Sequence, residues 1–183
     1  MTMCTATPAR GPGTPAVDLD MMTAAQLQRM LLPPSPFSAN GWTAEHHFAP
    51  ADHISGDFVD LVPFRDRVYF MLGDASGKGA AASLVMAHLH AMFRTLIPFE
   101  LSTDDLMTRA SGLLCSTSLP AQYVTLVAGY LAVDGELVIA NAGHPPPLAI
   151  AGTHHTDVLA TGVPMGMFCE SQFAGHAVDV RSW

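Results

Sequence analysis

The amino-acid sequence predicts an α+β domain whose sheet is antiparallel. Extended apolar segments come first, two amphipathic helices follow, and the chain then returns to extended segments. The pair Asp134-Gly135 lies between two apolar runs, and Asp-Gly in that setting is a strong signal for a β-hairpin. A doubly wound fold would alternate strand and helix throughout, so this order favours the α+β class.

The chain of 183 residues is long enough for one domain with a short extension. Residues 1–20, rich in Pro, Gly and Thr, are predicted to be a flexible tail. Residues 21–34 are predicted to be a linker helix that ends at Pro33-Pro34. Its apolar side carries Leu27, Met30 and Leu31, and this side predicts packing on the chain's own domain, or contact with an activator or a second copy through residues 21–32. Residues 35–183 form the main domain.

Composition excludes several classes of function. The net charge of -8, with only 13% charged residues, makes nucleic acid and anionic membranes poor partners. No apolar run approaches the roughly 18 residues of a membrane span, and the N-terminus lacks the apolar segment of a signal peptide. Cys4, Cys115 and Cys169 are widely spaced, so neither a zinc site nor a disulfide framework is predicted, and we expect a cytoplasmic protein.

The predicted elements follow from local patterns. Residues 42–50, 55–61 and 68–72 are predicted strands, of which the last is a continuous apolar run that ends at Gly73-Asp74. A helix is predicted from Lys78 to Pro98, with an apolar face that includes Leu84 and His88, and His88 is interpreted as a core histidine. A second helix is predicted to begin at Ser102 or Thr103. Later strands are predicted at 123–133, 136–141, 148–150 and 178–180.

Three aspartates are candidate ligands of a divalent cation. Asp74 follows a buried strand and precedes a glycine-rich turn, where small residues let backbone carbonyls approach a cation. Asp57 and Asp60 lie upstream, in residues 55–60. On a regular strand these two side chains point to opposite faces, so both should not bind one ion, and the spacing alone does not choose between them.

Two nucleotide-binding motifs compete for the glycine turn. A phosphate-binding P-loop fails, because Leu72 stands where its first glycine is required and Gly79 follows the lysine. A dinucleotide fingerprint fits Gly77, Gly79 and Ala82, with Glu100 near the expected distance for an acid that binds ribose. The antiparallel hairpins count against it, so dinucleotide binding is a remote alternative.

Several ordered motifs resemble one known family. Residues 55–60, Ser-Gly-Asp-Phe-Val-Asp, are similar to the Gly-Gly-Asp-Phe-Tyr-Asp signature of bacterial PPM-type (protein phosphatase 2C-like) serine/threonine phosphatases of the sporulation stage II E and sigma-factor regulator group. Further similarities to the group lie at residues 73–79, Gly-Asp-Ala-Ser-Gly-Lys-Gly; at 123–126, Tyr-Val-Thr-Leu; at 141–146, Asn-Ala-Gly-His-Pro-Pro; at Gly162-x-Pro164-x-Gly166; and in the helix and prolines of 28–34.

The resemblance implies a four-layer αββα sandwich with a two-metal Mn²⁺ or Mg²⁺ centre that hydrolyses phosphoserine or phosphothreonine on a protein. In such a centre water, activated by the metals, is the nucleophile, so no protein nucleophile is expected. By the resemblance, Asp74 would bridge both metals, Ala75 would offer its backbone carbonyl, Asp57 would be the acid at the first metal, and Asp60 would be a weaker candidate.

Three further residues are candidates for binding phosphate or supporting the site. Lys78 could contact phosphate, although a lysine at a helix start is more often solvated. His144 is interpreted chiefly as a turn residue that bonds the backbone, and Asn141 as a structural residue at a strand end.

The family pattern continues beyond Trp183 with further metal-binding aspartates, so we expect a domain that lacks its C-terminal strands and helix. This chain would then be weakly active or inactive. The expected substrate is a phosphorylated regulator of the anti-sigma-factor-antagonist type. The alternative is a non-catalytic module that binds a phosphoprotein.

Overall fold

A computed structural model of the chain describes residues 15–151 and 153–179, and it confirms the α+β class. The helices are α1 (Pro15–Leu31), α2 (Gly79–Leu96), a single 3₁₀ turn (Ile97–Phe99) and α3 (Thr103–Thr117). The strands are β1 (Phe37–Ala39), β2 (Trp42–Ala44), β3 (Asp57–Phe64), β4 (Arg67–Ala75), β5 (Val124–Ala132), β6 (Glu136–Ala142), β7 (Leu148–Ala151), β8 (His154–Asp157) and β9 (His176–Asp179).

One five-stranded sheet organises the domain. Its strand order is β3-β4-β5-β6-β9, and every neighbouring pair is antiparallel. The strands β1 and β2, and likewise β7 and β8, form separate two-stranded sheets. Of the expected four-layer sandwich, the described residues therefore supply one large sheet and the helices α2 and α3 that pack on it, rather than all four layers.

The core lies between the sheet and these two helices. It is formed by large side chains that are almost fully buried, among them Phe58, Met71, Leu89, Phe93, Met107, Leu114 and Leu126. Burial of each such side chain contributes roughly 1.5–3 kcal/mol of transfer free energy. The helical segment Gly79–Phe99 has the length and apolar composition of a membrane span, which the sequence analysis did not predict. In this fold it is the core helix, because one face of α2 is buried against the sheet.

The predicted boundaries of α2 agree with the structure to within two residues, but only part of its predicted buried face is correct. Leu84 is 71% exposed and His88 is exposed, while His90 is buried. The interpretation of His88 as a core histidine is therefore wrong. His90 is buried beside Asp60, with its Nε2 atom 3.2 Å from Asp60 Oδ2.

Helix α1 begins earlier than predicted and packs through a different side. Residues 15–20 of the predicted tail belong to the helix, whereas residues 1–14 lie outside the described residues. Of the three residues that the apolar pattern placed on the packing side, Leu31 packs against the core, whereas Leu27 and Met30 are 60% and 79% exposed. The buried residue is Gln28, because its side-chain amide finds two backbone partners in the domain.

Most strands and caps agree with the sequence pattern. Residues 133–135, which include Asp134-Gly135, form the loop of the β5–β6 hairpin, and the Ser102 side chain caps α3 by accepting a hydrogen bond from the Asp105 N–H. The predicted strand at 42–50 is wrong beyond Ala44, because residues 45–50 form no strand ladder. The expectation of no disulfide is also wrong, since Cys115 in α3 is bonded to Cys169, 54 residues later.

Candidate metal centre

Two carboxylates meet at one end of the β3–β4 hairpin. Asp57 opens β3 and Asp74 lies near the end of β4, and the antiparallel register makes them direct partners. Side chains of directly opposed residues project from the same face of a sheet, with their Cβ atoms about 5 Å apart. Both residues are exposed. The structure therefore brings together the two aspartates that the sequence analysis ranked highest.

These acids line a cleft of about 570 Å³ together with Lys78, Gly77 and Gly79. Both glycines have positive φ, at 99° and 66°, so the turn between β4 and α2 uses a conformation that other residues adopt only with strain. The turn is tied to β5, since the Ser76 N–H donates to the Tyr123 carbonyl at 2.8 Å. Lys78 thus lies at the start of α2 on the wall of the same cleft as the acids.

The pKa of Asp74 is raised above its ordinary value, first because the carboxyl is partly removed from water and second because the Asp57 charge lies opposite. The His144 imidazole opposes this rise. Two like charges held face to face across a sheet destabilise it when nothing lies between them. A divalent cation would relieve this repulsion, and the carboxylate oxygens are the ligand type that Mg²⁺ and Mn²⁺ prefer.

Asp60 lies on the opposite face of the sheet from this pair. It is completely buried, and the Arg94 guanidinium donates to both of its oxygens at 2.8 Å. The His90 Nε2 atom is 3.2 Å from Asp60 Oδ2, without the alignment of a hydrogen bond. The structure therefore places this weaker candidate ligand in an ion pair with Arg94 of α2, in which only the aspartate is buried, away from Asp57 and Asp74.

His144 combines a turn contact with a position near the acids. Its N–H donates to the Asn141 side-chain carbonyl at 2.8 Å, and its ring Nδ1 lies 2.9 Å from the Thr125 hydroxyl. Partial burial lowers the His144 pKa, against the pull of the Asp74 and Asp57 charges. Asn141 is fully buried and donates to the backbone carbonyls of His144 and Val158, so its position fits the structural interpretation.

The Ala75 carbonyl, predicted as a ligand, lies against Gly56. A Cβ atom built on Gly56 would come within 2.7 Å of this oxygen, so only glycine leaves it room. The Ala75 N–H in turn donates to the Gly56 carbonyl at 3.2 Å. These contacts hold the end of β4 against the segment that carries Asp57. The role of the carbonyl as a ligand stays a prediction.

Two residues around Asp57 were missed by the sequence analysis. The Ser55 hydroxyl donates to Asp57 Oδ2 at 2.8 Å and accepts from the Asp57 N–H at 3.1 Å. The Gln28 amide donates to the Ser55 carbonyl at 2.6 Å and accepts from its N–H at 3.0 Å. A glutamine among the apolar residues of α1 was the available signal, but its partner is 27 residues away.

Within the described ranges, no three His, Cys, Asp or Glu side chains are grouped as a metal site. Because Mg²⁺ and Ca²⁺ take six or more oxygen ligands, Asp57 and Asp74 would supply only some of the ligands of a divalent cation. The dinucleotide alternative is not supported, because β3, β4, β5, β6 and β9 pair only antiparallel, whereas that fingerprint belongs to parallel βα units.

Comparisons with known proteins identify the family and the fold of this chain. The family profile for stage II sporulation protein E (SpoIIE) matches residues 65–182. Protein IcfG of Synechocystis sp. is 25% identical over 193 residues, which cover 88% of this chain and 30% of IcfG. The chain thus spans less than a third of that curated relative.

Solved structures show the same fold. The SiaA-PP2C domain of Pseudomonas aeruginosa matches with a TM-score of 0.73 and 20% identity, over 90% of this chain and 67% of that one. The RsbU and RsbW domains of a Mycobacterium tuberculosis protein match with a TM-score of 0.59 and 26% identity, over 70% and 37% of the two chains. The PP2C phosphatase domain of SpoIIE from Bacillus subtilis gives a TM-score of 0.62 at 16% identity, over 69% and 38%.

Proposed function

This chain belongs to the SpoIIE family, and we propose on that premise that it carries the catalytic face of a metal-dependent protein serine/threonine phosphatase. The observation that supports this most directly is the Asp57–Asp74 pair, directly opposed at the mouth of a cleft. Among the described residues no Lys, Arg or His side chain forms a salt bridge with Asp57 or Asp74, so the pair suits a divalent metal better than a structural ion pair.

In this proposal Asp57 and Asp74 hold Mn²⁺ or Mg²⁺, with the Ala75 carbonyl as a third oxygen. When bound, such cations supply positive charge to the phosphoryl group and make water a better nucleophile. Lys78, on the cleft wall, adds positive charge for the substrate phosphate. His144, whose ring is held by the Thr125 hydroxyl, is coupled electrostatically to both acids and lines a neighbouring cleft that also includes Asp57.

The substrate we propose is a phosphoserine or phosphothreonine on a protein regulator of the anti-sigma-factor-antagonist type. Support for this substrate comes only from similar solved structures. One contains RsbU and RsbW domains, and another is described as part of the bacterial stressosome. These partners are those of the similar proteins, and their extension to this chain is part of the proposal. The net charge of -8 makes nucleic acid a poor substrate, because phosphate backbones are bound by clustered Lys and Arg side chains.

A second candidate is a phosphoprotein-binding module without turnover. It is favoured by one observation: Asp52, Asp57 and Asp74 all line the cleft, but among the described residues no three acidic, His or Cys side chains are grouped closely enough to hold a metal ion. Hard dications such as Mg²⁺ and Ca²⁺ normally take six or more oxygen ligands, so two carboxylates alone would hold a metal weakly.

The test is hydrolysis of a phosphoserine protein substrate by this chain in Mn²⁺, compared with Asp74→Asn and with Asp66→Asn. Asp66 lies at the opposite end of the same hairpin, so its variant is a matched control for loss of one carboxylate. We expect weak turnover that Asp74→Asn reduces to the background rate and Asp66→Asn leaves intact. Turnover that survives in Asp74→Asn would overturn the proposal, and phosphoprotein binding without turnover would favour the second candidate.

A further inference from the structure

The Ser55 hydroxyl forms two hydrogen bonds with Asp57, one as a donor and one as an acceptor. The hydroxyl donates to Asp57 Oδ2 at 2.8 Å, while its oxygen accepts from the Asp57 backbone N–H at 3.1 Å. The carboxylate is therefore fixed relative to its own backbone, and one of its two oxygens is already engaged. Ser55 is also the position at which residues 55–60 depart from the Gly-Gly-Asp motif that they resemble.

The backbone of Ser55 is fixed independently of this hydroxyl. Gln28, buried in α1, bonds both the carbonyl and the N–H of Ser55. Two residues later the chain enters the β3–β4 ladder, where Asp57 is opposed to Asp74. Removal of the hydroxyl should therefore leave the path of the chain unchanged and free only the Asp57 carboxylate.

We propose that Ser55 is a positioning residue that determines which cation the centre accepts, an inference that rests on the proposed function. Because Oδ2 already accepts a hydrogen bond from the Ser55 hydroxyl, Oδ1 is the oxygen of Asp57 that keeps both of its lone pairs for a cation. One oxygen per carboxylate suits small cations with octahedral geometry, such as Mg²⁺ and Mn²⁺. Ca²⁺, which is larger and has more ligands, is commonly bound by both oxygens of a carboxylate.

The hydroxyl also orients the ligand in advance. A partner hydrogen-bonded to a metal-binding carboxylate fixes its rotamer, and loss of such a partner typically costs about 10–100-fold in metal affinity. In Ser55→Ala the carboxylate would rotate freely and could bind with both oxygens. The affinity for Mn²⁺ should fall, while the affinity for Ca²⁺ should be retained or rise.

The experiment is calorimetric titration of Mn²⁺ and of Ca²⁺ into the full chain and its Ser55→Ala, Ser55→Thr and Asp74→Asn variants, with unfolding temperatures measured in parallel without metal. We expect the preference for Mn²⁺ over Ca²⁺ to fall about tenfold in Ser55→Ala. Ser55→Thr, which keeps the hydroxyl, should retain the preference, and neither Ser55 variant should change the unfolding temperature appreciably.

An unchanged preference in Ser55→Ala, with Mn²⁺ binding still lost in Asp74→Asn, would overturn the role of Ser55 and leave the proposed metal centre standing. Mn²⁺ binding that is absent from the wild type, or unaffected by Asp74→Asn, would overturn the metal centre and this inference with it. If Ser55→Thr loses the preference for Mn²⁺ over Ca²⁺ as Ser55→Ala does, the role of the hydroxyl is also contradicted.

Discussion

Asp57 and Asp74 are direct cross-strand partners, so the β3–β4 hairpin ends in two opposed carboxylates. Such a pair weakens the hairpin that carries it, because the two negative charges repel. The rest of the hairpin compensates, with Phe58 and Met71 buried on the opposite face of the sheet. Functional sites commonly retain this kind of local instability because the function requires it.

Asp74→Asn should therefore stabilise the chain in the absence of metal. The pKa of Asp74 is raised in the folded state, so ionisation of this carboxyl costs folding free energy, and stability is lost as pH rises through its titration. At pH 7 the variant should gain roughly 0.5 kcal/mol, since like charges opposed on a sheet cost about 0.2–1 kcal/mol. Urea denaturation in a chelating buffer measures the change. Asp66→Asn is the control, and a loss of stability in Asp74→Asn would contradict the explanation.

Sequence reasoning succeeded where one local pattern decided the structure. The apolar run before Asp74 predicted a buried strand and the position of its carboxylate at the strand end. The alternation of side chains along β3 separated Asp57 from Asp60, and the structure places them on opposite faces. These features depend on neighbours within a few residues, so the sequence contains them directly.

The features that were missed depend on contacts between distant residues. Helix α2 was rotated in the prediction because apolar content placed Leu84 inside, whereas Asp60, 34 residues before Arg94, draws His90 and Arg94 toward the sheet. Helix α1 was similarly misjudged, because the bonds of Gln28 to Ser55 outweigh the apolar character of Leu27. Buried polar groups need partners, and those partners cannot be read from periodicity.

Arg94→Ala should destabilise the chain by about 3 kcal/mol, since removal of one partner from a buried ion pair leaves an uncompensated charge. The remaining charge would be Asp60, whose side chain is 0% exposed, while the Arg94 side chain is 46% exposed. Chemical denaturation at pH 7 measures the loss.

Arg65→Ala is the matched control for Arg94→Ala. Arg65 pairs with Glu100, but their side chains are 64% and 42% exposed, so the loss should be below about 1 kcal/mol. Equal effects of the two substitutions would show that the Asp60–Arg94 pair is not a buried one in solution.

His90 should make the folded chain sensitive to mild acid. Burial lowers its pKa, and the nearby Arg94 charge lowers it further against the opposing effect of Asp60. The unfolded chain therefore binds a proton more readily, so stability is present above the ordinary histidine pKa of about 6.5 and is lost as pH falls below it. The slope from this group is at most about 1.4 kcal/mol per pH unit.

The measurement is thermal unfolding between pH 8 and pH 5 for the wild type, His90→Gln and His88→Gln. His88 lies on the same helix and is exposed, so its variant should follow the wild-type pH profile. His90→Gln should show a flatter profile in the acidic half of the range. A wild-type slope retained in His90→Gln would assign the acid sensitivity to other groups.

Gly129→Ala should disrupt the centre of the large sheet. Gly129 lies in β5 opposite Ile139 of β6, and a Cβ atom added there would come within 1.9 Å of the Val138 carbonyl oxygen. A backbone atom cannot move aside as a flexible side chain would, so the strands must separate, at a cost of about 3 kcal/mol or more.

The control is Gly112→Ala in α3, where nothing lies within 4 Å of the new Cβ atom. That variant should instead gain about 0.5–1 kcal/mol, because alanine is the better helix former. Urea denaturation of both variants provides the measurement, and a Gly129→Ala midpoint equal to that of the wild type would show that β5 and β6 do not pair closely at this position.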